Sequence, residues 1–155
     1  MNLVKVQKRF FDCCKLNGAD PKNQLLHNEA DRPCVLLLKL NYKGKKRDFV
    51  VPLKSNIKPN TDRKTFFPLP PNPNTRENNF HGIYYIKLFP IQKKYLQRYQ
   101  YSGNPYLCKV KSIIDKNERN IVNACQRYLD DYSKGKRNHY TPELDLIIDF
   151  LDNDL

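Results

Sequence analysis

The strongest constraint on folding is a nine-residue run, Cys34-Val35-Leu36-Leu37-Leu38-Lys39-Leu40-Asn41-Tyr42, followed at once by Lys43-Gly44-Lys45 and a second run, Phe49-Val50-Val51. The first run is apolar on both faces at its start and alternates later, the pattern of a strand whose beginning is covered on both sides. Glycine in the short connection supplies the backbone freedom a hairpin turn needs. The pair therefore predicts an antiparallel hairpin. Pro52 has no amide proton and is expected to end the regular pairing of the second strand.

Further strands are expected at Leu3–Val6, near Thr65-Phe66-Phe67, and from His81 to Ile91. Helical spacing is read for Arg9–Leu16, closed by Asn17-Gly18, and for Ile91–Gln100. It is read again for Pro105 to about Tyr132, with a kink at Lys116-Asn117-Glu118-Arg119. A last helix is expected over Pro142–Leu151, with Thr141 as its N-cap. Ala19–Asp31 reads as loop or frayed helix, and Lys58–Asn79, with five prolines, as a long functional loop. Strands followed by helices predict one α+β domain over residues 1–155, a length suited to a single core.

Charge narrows the function. The chain carries 28 Lys and Arg against 16 Asp and Glu, a formal net charge of +12. Residues 1–108 hold 20 of those cations and 7 of the acids, while residues 109–155 hold 8 and 9. The densest stretch, Lys39–Lys64, has nine cations (Lys39, Lys43, Lys45, Lys46, Arg47, Lys54, Lys58, Arg63 and Lys64) against Asp48 and Asp62. Such a cluster neutralises the phosphates of a polyanion and releases their counterions. It lies in strand and loop sequence rather than on an amphipathic helix, so a nucleic acid is expected as partner and a membrane is not. No apolar run is long enough to span a bilayer, and no signal-peptide core is present, so a cytoplasmic location is expected.

Metal and cofactor sites find no support: His27, His81 and His139 are far apart, and Cys13, Cys14, Cys34, Cys108 and Cys125 form no Cys-x-x-Cys pair. The cysteines read as reduced core thiols. Neither a Gly-x-Ser-x-Gly motif nor a glycine-rich phosphate loop occurs. The chemistry-bearing segment is Pro52-Leu53-Lys54-Ser55-Asn56-Ile57-Lys58, where an apolar strand delivers a hydroxyl between two lysines as the chain leaves the sheet. Metal-free RNA cleavage needs such groups, because the 2′-hydroxyl is the nucleophile and the protein has only to move protons and stabilise a dianionic phosphorane. The same residues also fit two solvated lysines and a serine bonding its own backbone in a turn. His81 reads as a structural histidine and is left out of the catalytic set. Tyrosines such as Tyr84, Tyr85, Tyr95, Tyr99, Tyr101 and Tyr106 are candidates to stack on unpaired bases.

Arg32-Pro33, the strand through Leu40, the glycine turn, Phe49-Val50-Val51-Pro52-Leu53-Lys54-Ser55-Asn56-Ile57-Lys58 and the later Gly82-Ile83-Tyr84-Tyr85-Ile86-Lys87-Leu88-Phe89-Pro90-Ile91 together resemble the ToxN/AbiQ family of type III toxin-antitoxin systems. The resemblance implies a compact twisted antiparallel β-sheet like that of the MazF/Kid toxins, with an SH3-like barrel-type core flanked by helices that are mainly C-terminal. It also implies a metal-independent endoribonuclease with no cofactor, leaving 2′,3′-cyclic phosphate and 5′-hydroxyl ends. The expected partners are cellular RNA substrates and a repeated pseudoknot antitoxin RNA, not a protein antitoxin, in a closed toxin–RNA hetero-oligomer.

By the resemblance, Ser55 matches the active-site serine and Lys58 the catalytic lysine, with Lys54 where many members carry a small residue. Arg32, Lys43, Lys45, Lys46, Arg47, Arg63 and Lys64 are expected to bind RNA. The chain departs from the family pattern in the extra residue between Ser55 and Lys58 and in lacking an upstream tyrosine, for which His27 is the substitute to consider. A non-catalytic RNA-binding module is the alternative reading; a DNA-binding regulator lacks a recognition helix.

Overall fold

The computed structural model describes residues 1–26 and 32–154. Its elements in chain order are β1 (Asn2–Val6), α1 (Lys8–Leu16), β2 (Cys34–Tyr42), β3 (Lys45–Ile57), β4 (Phe66–Leu69), β5 (Phe80–Tyr84), β6 (Phe89–Pro90), β7 (Leu96–Arg98), α2 (Pro105–Lys116), α3 (Glu118–Ser133) and α4 (Leu144–Asn153). The strands form one antiparallel sheet in the order β4-β5-β3-β2-β1-β7, with β6 also on β3. This is the α+β architecture expected, with helices mainly C-terminal, and the sheet is not closed into a barrel. The hairpin is as read: Tyr42 faces Lys45 across the turn, where Gly44 has φ of 76°.

Pro52 does not end β3, which runs on to Ile57. The reason lies in which side of the strand lacks a donor. Leu53 N–H donates to Pro33 O (3.2 Å), on the β2 side, so the amide that Pro52 lacks would have pointed to the opposite edge. That edge is where β3 changes partners. Phe49 and Val50 pair with β6, whereas Leu53 and Lys54 pair with β5. Opposite Val51 and Pro52 the neighbouring chain leaves the ladder in a 3-10 turn, Tyr85–Lys87, so the single strand expected over His81–Ile91 is broken into β5 and β6. A strand that cannot donate is matched by one that turns away.

Two more expectations are corrected. The segment Ile91–Gln100 is not helical: after a 3-10 turn at Lys93–Tyr95, β7 pairs with β1, Leu96 facing Val6 and Arg98 facing Val4. Only Ile91 and Tyr95 of that segment are buried, too few for a helical stripe, and β1 offers an open edge. The last helix starts at Leu144. Thr141 is buried instead, its hydroxyl bonded to that of Tyr128 (2.6 Å), so it serves packing rather than capping. The kink predicted near Asn117 is a full break between α2 and α3, with Asn117 Nδ2 donating to Ile113 O (2.8 Å).

The core lies between sheet and helices. Phe10 of α1 stacks on Phe89 and meets Tyr95 edge-on, while α3 lies on β2 and α4 on β6. Gln126 of α3 reads the backbone of Asn41 from both sides, accepting from its N–H and donating to its carbonyl (2.9 and 2.8 Å). Cys14, Cys34 and Cys125 are core thiols, but Cys108 is exposed on α2, which corrects the reading of all five as core. Among the described residues, no helix is long and apolar enough to cross a membrane.

Gly82 of β5 lies opposite Lys54 on one side and Pro68 on the other, and a Cβ there would sit 2.5 Å from the carbonyl oxygen of Phe67. Backbone cannot yield as a flexible side chain does. Gly82→Ala is expected to destabilise the fold by about 1–3 kcal/mol, read as a fall in the denaturation midpoint; an unchanged midpoint would show that β4 shifts freely.

Candidate active site

Beyond Pro52 the pairing of β3 with β5 shifts register. Lys54 faces Gly82 and Ile57 faces Phe80, so Ser55 and Asn56 together oppose His81. This is a β-bulge, a device that re-aims side chains locally. Asn56 uses it to hold the long loop: its Nδ2 donates to Asn74 O (2.9 Å), and its Oδ1 accepts from Arg76 N–H (2.8 Å) and Asn79 Nδ2 (3.2 Å). The loop in turn sends Asn72 to the serine, Nδ2 donating to Ser55 Oγ at 3.0 Å. With one lone pair occupied by that amide, the serine's hydrogen is left to donate elsewhere.

Ser55 lines a cleft of about 270 Å³ walled by Arg32 and Pro33 before β2, Leu53 of β3, Asn72–Asn74 of the loop, His81 of β5, Tyr99 after β7, and Asn104, Tyr106 and Leu107 at the start of α2. Arg32 is fixed there by Nη1, which donates to Leu53 O (2.8 Å). His81 is buried, and its Nδ1 lies 3.1 Å from Pro70 O and against the Tyr106 hydroxyl, which itself donates to Pro70 O. A carbonyl only accepts, so this network places the ring hydrogen on Nδ1. Burial is the main reason that the His81 pKa falls below 6.5; the Arg32 charge adds to the fall, and the bond to Pro70 opposes it. Burial raises the Tyr106 phenol to about 12, so it remains a neutral donor.

Alternation turns Lys54 away from the face carrying Leu53 and Ser55. Its pKa is lowered, first by burial and then by the charges of Arg32 and Lys58, so these three cations share one electrostatic neighbourhood beside the cleft. Lys87, in the 3-10 turn opposite Pro52, joins them. Its ammonium is buried and donates to Gln24 O and Oε1 (2.9 and 2.8 Å). Burial pushes its pKa down to about 8, with Lys54 adding to the fall and Asp20 opposing it. Lys58 is exposed just after β3.

The expected RNA-binding residues divide into groups. Arg32 is in the cleft wall. Arg63 and Lys64 are exposed on the 3-10 turn that precedes β4, where the Arg63 guanidinium lies 4.2 Å from the centre of the Phe80 ring. Lys43, Lys45, Lys46 and Arg47 lie at the hairpin end. Arg47 is eight residues from Ser55 along β3, about 26 Å at roughly 3.3 Å per residue. There Lys43 is held by Asp145 (3.0 Å) and Arg47 by both oxygens of Asp152 (2.8 and 2.7 Å), so α4 already neutralises part of that cluster. Lys45 and Lys46 remain exposed.

Sequence reasoning missed Asn72 and set His81 aside. Both enter through the bulge and the loop geometry, which no local spacing announces. His27 lies outside the described residues. Among the described residues, no group of three His, Cys, Asp or Glu side chains is placed to hold a metal ion.

No family model and no curated protein sequence matches the chain. Solved structures do. One neighbour, from a bacterial type III toxin-antitoxin system with selective toxin inhibition by a non-coding RNA pseudoknot, aligns with a TM-score of 0.70 and 16% identity over 96% of this chain and 95% of its own. A second, from a bacterial antiviral system regulated by a processed non-coding RNA, aligns with a TM-score of 0.69 and 17% identity over 100% of both chains. Both neighbours are ToxN toxin–antitoxin structures. The fold observed is thus the fold expected from the ToxN/AbiQ resemblance.

The buried lysine has a measurable consequence. With a folded pKa near 8 against 10.5 when exposed, the unfolded chain holds the extra proton on this lysine between those values, so its contribution to stability rises with pH across that window. From about pH 9 the buried thiols of Cys14, Cys34 and Cys125, and above pH 10 the buried tyrosines, all raised by burial, oppose it. Urea denaturation from pH 7 to 10 is expected to show the stability of the wild type rising relative to that of Lys87→Met as pH increases, the thiols and phenols being common to both. Equal slopes in the two proteins would remove Lys87 as its source.

Proposed function

We propose that this protein is the toxin of a type III toxin-antitoxin system: a single-domain, metal-independent endoribonuclease acting in the cytoplasm, without a cofactor, and held inactive by a repeated pseudoknot antitoxin RNA. The observation that carries the reading is the bulge of β3, which presents Ser55 in a polar cleft with Arg32 while Lys54 and Lys58 bring further positive charge beside it. The whole-length fold match to toxins of such systems supports it.

The chemistry follows from what these groups can do. Attack by the ribose 2′-oxygen on the adjacent phosphorus gathers negative charge on the non-bridging oxygens. The Ser55 hydroxyl, oriented by Asn72, donates to one of them, and Arg32 and Lys54 supply the field that stabilises the dianion. Lys58 gives a proton to the departing 5′ oxygen. The products are a 2′,3′-cyclic phosphate and a 5′-hydroxyl. Exposed Lys45, Lys46, Arg63 and Lys64, with Lys43 and Arg47 at the hairpin, extend the positive surface along which cellular RNA and antitoxin RNA are gripped, the latter in a closed toxin–RNA assembly.

Induced expression of the wild type is expected to arrest growth, and co-expression of its antitoxin RNA to relieve the arrest. Ser55→Ala is expected to lower the cleavage rate by about 10² to 10³ and Lys58→Ala by about 10² to 10⁴. Both should abolish the arrest with melting temperatures near the wild type, since neither side chain is buried. Full toxicity in both variants would remove this site. RNA binding with steep salt dependence but no change in strand length would instead identify a non-catalytic binding module.

A further inference from the structure

We propose that His81 is the base that takes the proton from the ribose 2′-hydroxyl in this cleft. The inference rests on the RNA-cleavage reading and supplies the one role that reading leaves empty, since it gives Ser55 and the cations hydrogen bonds, charge and the leaving-group proton but assigns no group to the 2′-hydroxyl proton.

The geometry carries it. The register shift that exposes Ser55 sets His81 directly across from Ser55 and Asn56, and both His81 and Ser55 line the same cleft. The ring is held through one nitrogen: Nδ1 is engaged by Pro70 O and by the Tyr106 hydroxyl, and Tyr106 is itself tied to that carbonyl. A hydrogen fixed on Nδ1 makes Nε2 the lone-pair nitrogen, and an imidazole oriented through its other nitrogen is a standard way to fix the tautomer of a working histidine. Here the phenol ring of Tyr106 also lies beside the imidazole, with centroids 5.9 Å apart, and braces it against rotation.

The groups that line the cleft with His81 favour the neutral base. Arg32 before β2 is the charged one, Tyr106 of α2 and Tyr99 are phenols, and Ser55, Asn72 and Asn104 are uncharged. Burial and the Arg32 charge both work against the imidazolium, so the ring is unprotonated at neutral pH. In the step, Nε2 takes the 2′-hydroxyl proton as the 2′-oxygen bonds to phosphorus. The bond from phosphorus to the 5′ oxygen breaks, and that oxygen leaves with the proton of the Lys58 ammonium. Solvent then returns a proton to Lys58 and removes one from the imidazolium.

The test is the pH dependence of single-turnover cleavage of a defined oligoribonucleotide by the wild type and by His81→Asn, whose side-chain amide keeps a donor for Pro70 O and loses Nε2. The wild-type rate is expected to rise with pH through an acid limb centred below 6.5. The variant is expected to be about 10² to 10⁴ slower and to lack that limb. A variant within threefold of wild type, with the limb intact, overturns the role of His81 and leaves the nuclease standing; a wild type that does not cleave overturns both. Should the variant fail to fold, histidine NMR of the wild type decides. The chain has three histidines, and added nucleotide 3′-monophosphate should shift the His81 resonance and raise its pKa. No response of His81 to pH or to the nucleotide overturns the proposal.

Discussion

The structure depends on one long strand that changes partners midway. β3 pairs along one edge with β2, and along the other first with β6 and then with β5. The change is made at Pro52, the one residue of the strand with nothing to donate toward that second edge. With this change go the 3-10 turn that buries Lys87 and the return of the chain as β6, and further along β3 lies the bulge in which Ser55 and Asn56 oppose His81.

Charge is distributed according to the same division. At the hairpin end of β3, α4 meets the basic residues with Asp145 and Asp152, and these pairs fasten the last helix to the sheet. The Lys43–Asp145 pair is exposed and contributes little stability, on the order of 0–1 kcal/mol, whereas Arg47 is largely covered and bound to both carboxylate oxygens; both pairs spend positive charge that a polyanion would otherwise meet. At the other end burial lowers the pKa of Lys54 and Lys87, and neighbouring cations add to it, Arg32 and Lys58 at Lys54 and Lys54 at Lys87. Like charges held together at some cost to the fold are what an anion-binding site requires before its ligand arrives.

Much of the fold could be read from the chain because its signals are local. The limits of β2, the glycine turn, α1 and the break at Asn117 follow from apolar spacing and capping residues. The errors arise where tertiary pairing overrides local preference. Pro52 was legible as a residue that cannot donate, but which edge of β3 lay behind it was not, so the strand was read as ending there. Leu96–Arg98 carries no strand signal of its own and becomes β7 because β1 has an edge to fill. The candidate site shows the same split. Ser55 and its lysines stand together in sequence, whereas Asn72, His81 and Tyr106 reach the cleft from a loop, a strand and a helix whose meeting depends on a one-residue register shift.

The central claim is that the cleft beside Ser55 transesterifies RNA using protein groups alone. It is tested most directly by incubating the purified protein with RNA in EDTA and identifying the ends of any fragments. The account predicts cleavage that leaves 2′,3′-cyclic phosphate and 5′-hydroxyl termini; RNA that remains intact, or fragments ending in 3′-hydroxyl and 5′-phosphate, would contradict it.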